Sequence, residues 1–282
     1  MYQTEEYVDP GRILYRHVLT AEERRAMADI IHVVLNQHRG LGTSVPFVRS
    51  QLSKLQGLYD ELQAFFETRP GGYFIRLSTL SPKDAYYQLF VDTPSAAEAA
   101  EDEAVTLADI KRDLAVLRVS SAEQALLVMT HSERVYFEVE FDRPNAVLLM
   151  PWMDNILTDT ETRCFVRGRK MVTFTQYYAD LPSGYASVPF DAQTFYTGVC
   201  DFIQSLLETI PYEDCVIDIA LSDPSTFLFI EINPLNHNTD AGLFEWDELD
   251  QLNGPRPVFK YKRDGQVMTV TGTPQPELSS NG

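Results

Sequence analysis

Two apolar, β-branched runs, VIDIAL at 216–221 and FLFIEINP at 227–234, each carry a carboxylate: Asp218 in the first and Glu231 in the second, with Asn233 two residues further on. A charge inside strand-forming sequence is costly unless it meets water, a partner or a cation. Ser222, Asp223, Pro224 and Ser225 between the runs form a turn cluster, so the runs are expected to pair as an antiparallel hairpin. With Ser222 opposite Ser225, Asp218 falls opposite Phe229. Side chains two residues apart share a face, so Asp218, Glu231 and Asn233 project to one side. Ile217, Ile219, Leu221, Leu228, Ile230 and Ile232 then line the opposite, core side. Diagonal neighbours across such a pair lie ~7–8 Å apart, near enough for two carboxylates to share one divalent cation. A slip of one residue would part the acids. The competing explanation is the solvent side of a half-exposed sheet. Phe227 and Phe229, counted onto the acidic face, favour a covered surface such as one beneath a nucleotide.

Magnesium commonly takes one or two carboxylates plus substrate phosphates, so an acid, acid and amide set implies a nucleotide and cationic groups to meet it. Arg76 in FIRLS, Lys83 in SPKD, Arg134 in HSERV and Arg163 in TRCFV stand at expected strand or turn positions suited to that task. No GxxxxGK[ST] loop, GxGxxG, HExxH or GxSxG is present, which removes the Walker-type, zinc-protease and nucleophile-elbow chemistries. Cys164, Cys200 and Cys215 have no metal-finger spacing and read as buried small hydrophobes in a reducing compartment. No catalytic residue is singled out.

The remaining sequence must position these groups. The chain has 282 residues, 44% hydrophobic and 11% aromatic, enough for a substantial core. With 41 acidic against 23 basic side chains, the net charge of −18 disfavours nucleic acid and suits a basic protein partner. No signal-peptide order and no membrane-spanning run is seen, so a cytoplasmic, monomeric protein is expected.

Thr20 and Glu23 form a capping-box pattern ahead of Met27, Ile30, Ile31, Val34 and Leu35 at helical spacing. A second helix is expected from about Pro46 to just before Pro70. YFIRLS reads as a strand, 92–104 as an acidic solvated insertion, 122–129 as a helix and AVLLMPW as a buried strand. TRCFVRGRKMVTFTQYY is expected to turn at Gly168, Asp191 to cap a helix, and VFKYKRDGQVMTV to turn at Asp264-Gly265. Leu243, Phe244 and Trp246 are expected in the core rather than on a docking patch. The domain reading is a helical segment over 1–70, lobes over 71–150 and 151–253, and a hairpin with flexible tail over 254–282.

FIRLSTLSPKDA, HSERV, VLLMPWMD, RCFVRGRKMVTFTQYY, VIDIAL and FIEINPLNHNTDAGLFEWDEL, in that order, resemble the cell-division-cycle-123 family of the ATP-grasp fold over about residues 70–250. The resemblance implies an α+β, ATP-grasp-like fold of two α/β lobes with the nucleotide between them and a helical N-terminal lead-in. It also implies ATP and Mg2+ as cofactors. By matching motifs, Asp218, Glu231 and Asn233 resemble the magnesium ligands, and Arg76 and Arg163 the phosphate contacts. Leu148, Met150 and Trp152 resemble the adenine-side hinge. The implied function is chaperone-like assembly of translation initiation factor 2 through its gamma subunit. The alternatives are an ATP-grasp ligase forming an acyl phosphate and a nucleotidyl transferase or RNA ligase. The sequence departs from the family pattern in having Arg at 76, Glu at 231, Leu80 or Thr79 where a tryptophan is common, and Thr130-His131 in place of a lysine-serine pair.

Overall fold

The computed structural model describes residues 10–38, 50–89, 106–141, 144–181, 185–252 and 256–272. The start of the second helix near Pro46, the insertion over 92–104 and the tail beyond 272 lie outside them. The chain divides into two compact units, one up to Asp154 and one from Asn155 onward.

In the first unit, α1 (Ala21–His38) begins at the expected capping box, Thr20 Oγ1 accepting from the Glu23 amide and Glu23 accepting from the Thr20 amide. Its stripe of Met27, Ile30, Ile31 and Val34 is buried. In the next segment Ser50 and Gln51 are α-helical and a 3-10 turn over Leu52–Leu55 separates them from α2 (Gln56–Thr68), so it is not one continuous α-helix. Leu52 and Leu55, three apart, eclipse in a 3-10 turn and both reach the core, which favours the tighter winding. Among the described residues four short helices follow: α3 (Ala85–Leu89), α4 (Leu107–Ala115), α5 (Ala122–Thr130) and α6 (Glu133–Glu140). Ser121 and Ser132 cap the last two.

An antiparallel sheet in the order β1-β4-β2-β3 is built from β1 (Tyr15–Val18), β2 (Tyr73–Leu77), β3 (Arg118–Val119) and β4 (Ala146–Pro151). At four residues, β1 carries no strand pattern in its own sequence. Ile75, Leu77, Val147 and Leu149 enter the helical core, whereas Ala146, Leu148 and Met150 alternate to the other face.

The second unit is a six-stranded sheet in the order β10-β9-β6-β5-β7-β8. β5 (Leu157–Arg167) and β6 (Lys170–Gln176) turn at Gly168-Arg169 as expected, with φ of 54° and 58°. β7 (Cys215–Asp223) and β8 (Thr226–Asn233) follow α7 (Ala192–Leu207), which Asp191 caps by accepting from Thr194. β9 (Val258–Arg263) and β10 (Gln266–Thr271) turn at Asp264-Gly265, and β9 lies parallel to β6. α7 packs on one face, where Tyr196 meets Phe174, itself stacked on Phe259 at 4.5 Å. The segment leading into α8 (Trp246–Gln251) covers the other face, burying Phe244 beside Phe165 and Val216 as the sequence implied.

His17 ties β1 to two helices, its Nδ1 2.8 Å from Glu61 and its Nε2 3.0 Å from Glu23. Burial opposes the charged ring, but the hydrogen bonds and charges of Glu23 and Glu61 outweigh it and raise its pKa. A raised folded pKa gives stability that is complete below the unfolded value, near 6.5, and is lost as pH climbs through the folded one. Urea midpoints measured across that range should fall with rising pH, and H17Q should flatten this part of the profile.

Candidate functional site

The β7-β8 hairpin carries the acids, but its register is not the expected one. Asp223 accepts from both the amide and the hydroxyl of Ser225, at 2.9 Å each, and this side-chain turn makes Asp223 and Thr226 the first pair instead of Ser222 and Ser225. One irregularity next to Asp223 shifts the ladder by a residue, so that Leu221 faces Phe227 and Ile219 faces Phe229. A second, between Asp218 and Ile219, restores the parity. Asp218 therefore stands directly opposite Glu231 rather than Phe229, and Asn233 stands opposite Val216 on the same face. The acids do share a side, as anticipated. Phe227 and Phe229 do not share it, because the first bulge moves them to the far face. There Phe227 packs against Phe195 and Phe202 of α7.

Arg163 on β5 pairs with Asp218 on the other flank. Its Nε donates to Asp218 Oδ1 at 2.9 Å and its Nη2 to Oδ2 at 2.8 Å, while Nη1 donates to the Asp240 carbonyl at 2.8 Å. Its guanidinium lies over the Tyr177 ring, 4.6 Å from the centroid. Asn233 Nδ2 also donates to Asp218 Oδ2, at 2.8 Å, and lies 3.5 Å from Glu231 Oε1. Asp218 is fully buried and Arg163 is 5% exposed. Burial works against the arginine's charge, but Asp218, followed by Tyr177 and Glu231, holds its pKa well above the usual value.

These groups lie in one cross-strand row, Lys260, Thr175, Arg163, Asp218 and Glu231, running over β9, β6, β5, β7 and β8. The covering loop is fastened along that row. Lys260 Nζ donates to both Glu248 oxygens at 2.7 Å and sits over the Phe244 ring, and the Leu243 amide donates to Thr175 Oγ1. Gly242 allows the close approach: its φ is 63°, and a Cβ there would lie 2.5 Å from the Thr175 methyl.

In the first unit, Arg76 and Leu148 are register partners, as are Phe74 and Met150, so these four share the sheet face turned away from the helical core. Arg76 is buried, with Nε donating to the Leu77 carbonyl at 3.0 Å. Trp152 Nε1 donates to Asp154, and Arg118 lies over its indole. Lys83 is half-buried and Arg134 exposed. Their segments are joined by Asp84, which accepts from the Ser132 hydroxyl at 2.5 Å and from the Arg134 amide at 3.1 Å.

Several participants were missed in the sequence. Arg16, the register partner of Leu148 from β1, shares the Arg76 face. Glu161 is buried two residues before Arg163, and Tyr178 is raised far above its usual pKa by burial and then by Glu161. Tyr177 and the Asp240 carbonyl grip Arg163. Only the TQYY run hinted at the tyrosines; the others depend on contacts between distant segments. Cys164 and Cys215 are buried as expected, whereas Cys200 is only half-buried; partial burial pushes Cys200 up to about 11 and burial pushes Cys215 up to about 12.

Two carboxylates and an amide are hard oxygen donors, the chemistry magnesium accepts. Among the described residues no group of three or more His, Cys, Asp or Glu forms a metal cage. Removing one partner of a buried pair strands the other charge, so D218A should cost roughly 3–5 kcal/mol in urea unfolding. The double replacement R163M/D218L should recover more than half of that loss.

The family model described as D123 matches residues 42–278. The Xenopus laevis "Translation initiation factor eIF2 assembly protein" is 27% identical over 241 residues, covering 78% of this chain and 63% of its own length, so the chain spans less than two thirds of that relative. The Schizosaccharomyces pombe protein of the same name is 27% identical over 158 residues, 49% of this chain and 46% of its own. The structure of Cdc123 from Schizosaccharomyces pombe superposes with a TM-score of 0.58 at 19% identity, over 89% of this chain and 90% of that one. The fold is accordingly α+β and ATP-grasp-like.

Proposed function

Because this chain belongs to the D123 family, we propose that it is a cytoplasmic, ATP- and magnesium-binding assembly factor whose client is translation initiation factor 2, engaged through the gamma subunit. The observation that carries this reading is the row of Arg163, Asp218 and Glu231 with Asn233 beside it, on the loop-covered face of β5, β7 and β8. In the second unit, Asp218, Glu231 and Asn233 would hold the magnesium, and Arg163 would meet phosphate oxygens. In the first, Arg76 offers a planar fork to phosphate, Leu148, Met150 and Trp152 an apolar strip to the base, and Lys83 and Arg134 further positive charge.

The magnesium would neutralise phosphate oxygens when bound. The chain's own part is to bind and orient: buried, preorganised donors lose little freedom when a ligand arrives. In this reading ATP acts as a clamp that stabilises the fold by its binding free energy, about 2.7 kcal/mol at a hundredfold excess over Kd. The net charge of −18 would steer a basic face of the client toward the chain.

Calorimetry with ATP and Mg2+ should show saturable heat, and E231A should weaken it by about tenfold or more, which corresponds to about 1.4 kcal/mol. Purified gamma subunit should be retained by the wild type with ATP and Mg2+ and much less by E231A. Absence of heat with the wild type would refute the proposal.

A further inference from the structure

The Asp218 carboxylate is the most enclosed member of the acidic set, and neither of its oxygens is open. Oδ1 receives Arg163 Nε at 2.9 Å, and Oδ2 receives both Arg163 Nη2 and Asn233 Nδ2 at 2.8 Å. The arginine is gripped on two further sides, by the Asp240 carbonyl at 2.8 Å and by the Tyr177 ring at 4.6 Å. We propose that Arg163 is a built-in counter-ion that closes Asp218 to a bare divalent cation, so that a cation enters only together with a polyphosphate anion able to take over the guanidinium. This rests on the magnesium and nucleotide reading of the same residues.

The argument is one of charge and donor geometry. A planar fork on a carboxylate makes two parallel charge-assisted hydrogen bonds, and a cation alone must break both while meeting a positive charge already in place. It has nothing to offer the displaced guanidinium in return. Carboxylate and phosphate oxygens fit the same fork, so a polyphosphate can replace Asp218 as its partner. The freed carboxylate and the phosphate oxygens then both serve the cation. Cation and anion are thus coupled through one exchange of partners, and the coupling is reciprocal. Tyr177 and the Asp240 carbonyl are positioning groups: they hold the guanidinium plane beside Asp218 while its partner changes. Glu231, directly across β7 from Arg163, adds negative charge to the row, so its side of the set is where a cation would first be attracted.

The test uses Mn2+ as the probe cation, its free concentration followed by electron paramagnetic resonance on the full chain without nucleotide. R163Q, which lacks the charge, should bind Mn2+ about tenfold tighter than the wild type. A non-hydrolysable ATP analogue should tighten Mn2+ binding by about tenfold in the wild type and far less in R163Q. Equal Mn2+ affinity of R163Q and wild type without nucleotide would overturn the proposal. That comparison contains no nucleotide, so its failure is separate from a failure of the wild type to give heat with ATP and Mg2+. Should R163Q not fold by circular dichroism, the Arg163 Nε–H resonance of the wild type gives the answer instead. It should stay in place with Mg2+ alone and move when Mg2+ and ATP are added together; movement with Mg2+ alone would overturn the counter-ion role.

Discussion

Asp218 carries a carboxylate to a point with no exposed surface, and a charge so placed is tolerable only where an opposite charge meets it at hydrogen-bonding distance. Arg163 supplies that charge from the neighbouring strand, and much of the second unit is arranged around keeping it there. Tyr177 stacks on the guanidinium, and the Asp240 carbonyl takes its third nitrogen. The loop that brings Asp240 is fastened by Gly242 lying close to Thr175 and by Lys260 reaching Glu248. Each fastening is modest alone. Together they let one buried ion pair survive beside a second carboxylate, Glu231, whose negative charge supports the arginine's protonation.

The same economy governs the hairpin. Two single-residue irregularities, one on either side of the stretch from Ile219 to Leu221, cancel in their effect on which way side chains point. Between them, Phe227 and Phe229 turn to the far face, where Phe227 joins the aromatic packing of α7. Beyond them, Glu231 returns to Asp218's side. A hairpin without bulges could not send its tip toward the helix and its base toward the acidic face with this alternation of residues.

Local signals carried much of the fold. The Thr20 and Glu23 box, the Asp191 cap and the turns at Gly168 and Gly265 each depend on residues within a few positions of one another, and each appears where its residues imply. The pairing of the acids on one face was legible because parity depends only on strand identity and an even total of slips. Their direct opposition was not, because the bulges answer to packing from α7 and to the Asp223 side-chain turn. Arg163's partners were equally out of reach: Asp218 is 55 residues away and Asp240 is 77 away, and such contacts leave no trace in the spacing of neighbours. The strand at Tyr15–Val18 escaped for a related reason, being four residues long and defined only by its pairing with Ala146–Leu149.

β9 lies between β6 and β10 and runs parallel to β6, although it follows β5, β6, β7 and β8 in the chain. A ribosome therefore releases β5, β6, β7 and β8 as a four-stranded ribbon whose β6 border stays bare until β9 has been made. Lys260 arrives with β9, so Glu248 and the loop leading to it cannot be tied to the sheet until β9 has been translated. A nascent chain stalled before residue 256 would hold its acidic hairpin but not the finished roof above it, and would present an open sheet border for other chains to pair with.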